Sequence, residues 1–107
     1  MDDPRTDDPI LTRFRAALGD IYGERLARVL LFGSRARGDA QADCDYDVAV
    51  FLTDMADAWA ERDRLADLRV RFLDETGAFF DAKPYPNGAL RERTPLMHEI
   101  RKDGLDI

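Results

Sequence analysis

The chain has 107 residues with 16 Lys+Arg against 22 Asp+Glu, a formal net charge of −6, which suits one modest hydrophobic core and excludes two. No basic tract of the kind that holds a nucleic-acid backbone is present, so charge disfavours nucleic acid as the main substrate and direct nucleic-acid binding is not expected. One cysteine cannot close an internal disulfide, and no apolar run approaches the ~18 residues of a membrane span; the composition predicts a soluble cytoplasmic protein.

The acidic opening "MDDPRTDD" lacks hydrophobic anchors and reads as a flexible leader over residues 1–8, followed by a single domain over 9–107. Asp8-Pro9 carries helix-start chemistry, and Ile10, Leu11, Phe14, Leu18, Ile21 and Tyr22 recur at three-and-four spacing, predicting an amphipathic helix that closes near Gly23. "LARVLLF", Leu26 to Phe32, and "YDVAVFL", Tyr46 to Leu52, are short apolar runs that read as buried strands, joined by a polar segment with two glycines. Thr53-Asp54 offers cap chemistry for a long helix to about Thr76, with Trp59, Leu65, Leu68 and Phe72 on its apolar face and Gly77 as its stop. "AFFDAKPY", Ala78 to Tyr85, is a third strand that Pro84 and Pro86 end or place at a sheet edge. Thr94-Pro95 begins a last helix that Gly104 closes. This order predicts an α/β (α+β) domain in which helices pack on a small mixed sheet.

Asp45 and Asp47 stand two apart at the entrance of the second strand, so strand geometry points both carboxylates the same way, roughly 6–7 Å apart. Two such anions repel unless a cation lies between them. Mg²⁺ fits, because it takes oxygen ligands and keeps water and substrate phosphate for the rest of its shell; two ions sharing these ligands would clamp both oxygens of a phosphoryl displacement. Asp81 is the candidate third carboxylate, since a charge inside "AFFDAK" is costly unless something binds it. Upstream, Gly33-Ser34 follows a strand, where backbone N–H groups and a hydroxyl would face an anion and the glycine would admit a phosphate close to the backbone. Arg35 and Arg37 have guanidinium groups suited to phosphate oxygens.

Plain alternatives stand beside each reading: an ordinary turn at Gly33-Ser34, a solvated strand entry at Asp45 and Asp47, an edge charge facing water at Asp81, and surface charges at Arg35 and Arg37. Asp39 and Asp43 read as solvated loop charges, His98 as a solvated helix residue, Trp59 as core, and Tyr46 as a packing residue facing away from the aspartates.

The spacing Gly33-Ser34, ten residues, Asp45, one residue, Asp47 matches the G-S-x10-D-x-D signature of nucleotidyltransferases of the DNA polymerase beta superfamily. "GSRARGDAQADCDYDVAVF" resembles the minimal stand-alone form, the MNT domain, including the MntA-type antitoxins of two-gene HEPN/MNT systems. The resemblance implies the small nucleotidyltransferase core, with Gly33 and Ser34, assisted by Arg35 or Arg37, holding the triphosphate. It also implies Asp45 and Asp47 on Mg²⁺, and Asp81 as the third carboxylate nearest the incoming nucleophile. By the same resemblance the substrate is ATP, the partner is a HEPN-domain RNase toxin, and the reaction places AMP on a tyrosine hydroxyl of that toxin. A binding-only antitoxin, and a small-molecule or nucleic-acid nucleotidyltransferase subunit, are the alternatives. One departure is Cys44, where the family commonly has serine; a thiol is the poorer hydrogen-bond partner.

Overall fold

Asp8 is extended, and its carboxylate accepts the N–H groups of Ile10 and Leu11, so helix α1 begins at Pro9, where a missing N–H costs nothing, and runs Pro9–Tyr22. The structure, a computed structural model, describes residues 5–38 and 45–107. The readings made of Asp39, Asp43 and Cys44 lie outside the described residues. Within the segment read as a leader, Arg5 donates to the Ala36 carbonyl at 2.7 Å and Asp8 accepts the Tyr46 hydroxyl as well as capping α1.

The described residues contribute a four-stranded mixed sheet in the order β3-β2-β1-β4, with β1 Leu26–Phe32, β2 Tyr46–Leu52, β3 Phe80–Pro86 and β4 Leu105–Asp106. β1 and β2 coincide with the two apolar runs of the sequence and pair antiparallel, while β3 lies parallel to β2. Pro84 and Pro86 sit on an edge strand, where their absent donors break no inner ladder. β4 escaped the sequence reading because two residues have no periodicity. It is held antiparallel to β1 and by an Arg28–Asp106 ion pair at 2.8 Å.

Between β2 and β3 the chain crosses over through helix α3, Ala58–Thr76, which ends on Gly77 at φ 76°. Its cap is Asp57, whose carboxylate accepts the Ala60 N–H, and not Thr53-Asp54. Thr53 is still engaged with the sheet, its N–H bonding the Arg25 carbonyl at 2.8 Å, so the helix starts only after this tie is passed. Helix α4, Pro95–Asp103, has the expected Thr94 cap, with the side chain accepting the Met97 N–H.

One face of the sheet packs on α1 and α3 through Phe14, Leu18, Val48, Val50, Leu65 and Phe72. Phe14 stacks on Phe80 at 3.8 Å between centroids and meets Phe72 edge-on at 5.1 Å. The other face, carrying Leu30, Ala49 and Phe51, packs on Met97 and Ile100 of α4. Buried Glu61 is satisfied by Arg25 and Arg64, tying α3 to the turn ahead of β1. The core stripe of α3 is Glu61, Leu65, Leu68 and Phe72, and this corrects the reading of Trp59. The indole is 74% exposed because position 59 lies off that stripe.

Candidate active site

Side chains at alternate strand positions share a face, so Asp47 lies on the α4 side of β2 with Ala49 and Phe51, one step beyond the part of that face α4 covers. The parallel register sets Asp81 of β3 beside Asp47, and the antiparallel register sets Phe32, the last residue of β1, on its other side. Two carboxylates far apart in sequence thus project from neighbouring strands on one face. Asp45 immediately precedes β2 and is exposed, while Tyr46 turns to the opposite face and is buried.

Gly33 opens a short helix, α2, Gly33–Arg37, directly at the exit of β1. It is buried with φ +73°, and a Cβ built on it would stand 2.3 Å from Asp47 Oδ2. The glycine is therefore required twice, by backbone conformation and by the carboxylate lying against it. Ser34 follows, half-buried. Arg35 is placed over the Tyr46 ring at 3.8 Å from its centroid, and Arg37 reaches Glu99 of α4 at 3.4 Å.

Burial pushes the Asp47 carboxyl above its ordinary value, and the charges of Asp81, Asp45 and Glu99 add to the rise while Lys83 opposes it. A half-buried carboxylate facing three others is short of positive charge. The donor set, all carboxylate oxygen, fits a hard divalent cation. Among the described residues, no three Asp, Glu, His or Cys side chains are drawn into a metal-holding cluster. Asp45 lies outside the strand and is exposed.

Two residues at this site were not singled out from sequence. Lys83, two positions after Asp81 and so on the same face, brings its Nζ to 3.9 Å from Asp81 Oδ1; strand alternation alone would have found it. Glu99 had no local signal, because only the packing of α4 against α2 brings it to Arg37 and within electrostatic reach of Asp47. His98 is exposed, as expected.

The site is thus set on a mixed sheet of an α/β domain, with two acidic strand positions side by side and a glycine-serine turn against one of them. The nucleotidyltransferase domain model matches residues 11–85, and the chain belongs to that family. A protein of Methanocaldococcus jannaschii named as a putative protein adenylyltransferase is 39% identical over 46 residues, which cover 43% of this chain and 46% of that one. The chain thus spans about half the length of that relative. Its fold resembles a toxin–antitoxin crystal structure containing AMP-PNP, with TM-score 0.60 and 20% identity over 88% of this chain and 69% of that one. It also resembles the MntA-HepT toxin–antitoxin structure, with TM-score 0.53 and 18% identity over 88% of this chain and 66% of that one. At these identities the structural likenesses establish the fold.

Proposed function

We propose that the protein is a Mg²⁺-dependent nucleotidyltransferase that moves AMP from ATP to a tyrosine hydroxyl of a cognate HEPN RNase toxin, and so acts in the cytoplasm as the antitoxin. The observation that carries this reading is the placement of Asp47 between Asp81 of β3 at its side and the Gly33 turn that lies against its carboxylate. Asp45, Asp47 and Asp81 would hold the metal, and Gly33, Ser34, Arg35 and Arg37 would hold the triphosphate. When bound, Mg²⁺ supplies charge neutralisation at the phosphates and lowers the barrier to displacement.

The acceptor oxygen bonds to the α-phosphorus, the bond to pyrophosphate breaks, and the hydroxyl proton passes to a carboxylate beside the acceptor. Asp81 on the edge strand is the residue open to that partner. Three things support the assignment: the adenylyltransferase name of the archaeal relative, the toxin–antitoxin setting of the similar structures, and the AMP-PNP in one of them. An acidic chain is also compatible with a more basic, RNA-handling partner.

The test is to incubate the protein with labelled ATP, Mg²⁺ and the product of the neighbouring gene, and to read added AMP by intact mass. The expected result is AMP on the partner, lost in Asp45→Asn and Asp47→Asn while the complex persists. Tight binding with no mass shift for the wild type would leave only the binding-only antitoxin. Transfer surviving both substitutions would remove the carboxylates from the metal site.

A further inference from the structure

Lys83 puts a positive charge among the carboxylates. Alternation along β3 sets it on the same face as Asp81, and the parallel register lays it beside Ala49, a small residue buried in the cluster under α4. Its Nζ lies 3.9 Å from Asp81 Oδ1, and its side chain is 62% exposed. That separation is an ion pair and is too long for a hydrogen bond, so the ammonium is held beside Asp81 by charge alone and is able to leave it.

The surroundings give this charge its weight. Among the charges that act on Asp47, those of Asp81, Asp45 and Glu99 are negative and that of Lys83 is positive. The arginines of α2 are engaged elsewhere: Arg37 pairs with Glu99 at 3.4 Å, and Arg35 lies over the ring of Tyr46, which turns to the opposite face from Asp47. Lys83 is therefore the cation built into the carboxylate face, on the strand that supplies Asp81.

A fixed positive charge at this position distinguishes two forms of the same metal. It repels a bare divalent cation that approaches Asp81 and Asp47. It attracts the same cation carried on a nucleoside triphosphate, because that complex is a net anion. The distinction follows from the sign of the charge and needs no contact between the ammonium and the phosphates.

We propose that Lys83 is a tethered counter-ion of the carboxylate face, which holds Asp81 against the bare divalent cation and favours the cation that arrives as its nucleotide complex. This inference rests on the proposed function for the metal and the nucleotide, and adds the residue that couples the binding of one to the other. Lys83 is a positioning residue, acting through Asp81 and through its charge. Lysines also occur on edge strands only to discourage pairing with another chain, and a lysine of that kind would alter neither affinity.

The test measures, by calorimetry at low ionic strength, the binding of Mn²⁺ alone and of equimolar Mg²⁺ and AMP-PNP to the full chain, comparing the wild type, Lys83→Met and Lys83→Arg. Position 83 is exposed, so neither replacement disturbs the core. Lys83→Met keeps a stem of similar shape and removes the charge. It is expected to bind Mn²⁺ alone about three- to tenfold more tightly and the nucleotide complex about three- to tenfold more weakly, as suits one unit charge removed close to the ligands. Lys83→Arg is expected to match the wild type in both. If the wild type does not bind both ligands, the proposed function falls and this inference with it. If it binds both and Lys83→Met does not shift them in opposite directions, this inference alone falls: a distorted site weakens both, and a lysine that only guards the edge changes neither.

Discussion

A Cβ on Gly33 would lie 2.3 Å from Oδ2 of Asp47, so the residue leaving β1 and the acidic residue entering β2 are fitted to one another with no space between them. Both belong to the same sequence signature, and the fold gives them a steric reason to occur together. Gly33→Ala meets two penalties, a positive φ that L side chains avoid, worth ~1–3 kcal/mol, and the clash with Asp47. Denaturant unfolding should show a loss at least that large. In an Asp47→Ala background the same change should cost only the backbone part; an equal cost in both backgrounds would mean the contact is immaterial.

Asp47 should oppose the stability of the protein it serves. Burial and the neighbouring Asp81, Asp45 and Glu99 raise its pKa, so the folded state binds this proton more tightly than the unfolded chain does. Its contribution to stability therefore falls as pH rises from the ordinary aspartate value through the raised one, and the ionised form is a burden at neutral pH. Asp47→Asn is expected to raise the thermal midpoint at pH 7 in the absence of divalent cation, by an amount that shrinks on acidification, while abolishing transfer. A lowered midpoint would contradict the crowding of carboxylates described above.

The tyrosines give a spectroscopic reading of the packing. Burial and the bond to the Asp8 carboxylate push Tyr46 up to about 12, and burial raises Tyr22 and Tyr85 as well. At pH 10 less than half of the native protein's tyrosine should be ionised, and unfolding should raise the tyrosinate absorbance toward the half expected of free side chains. Because the folded state retains these protons, stability falls as pH climbs past 10. Tyr46→Phe removes the bond to Asp8, at a cost of about 1.5–3 kcal/mol for a hydrogen bond to a charged group.

The cap of α3 can be assigned by substitution. Asp57→Ala should cost about 1 kcal/mol in an equilibrium unfolding experiment, because its carboxylate accepts the Ala60 N–H. Thr53→Ala should cost less, since Thr53 engages the sheet through its backbone. A larger loss at Thr53 would move the helix start back to where the sequence alone suggested it.

Local chemistry determined much of this protein before any tertiary contact. The β1 and β2 runs, the Asp8 and Thr94 caps, Gly77 as a stop and the edge prolines of β3 were legible because each depends on near neighbours along the chain. The signature carboxylates and Gly33-Ser34 were legible for the same reason, as residues of one continuous stretch. Tertiary structure decided which carboxylate stands beside Asp47, because only the parallel register of β3 on β2 chooses Asp81. It also decided what α4 contributes, bringing Glu99 toward Arg37 and Asp47. Likewise it exposed Trp59: an apolar residue on a helix shows its hydrophobicity in the sequence, but which of two stripes the sheet covers depends on how the helix is rotated against that sheet.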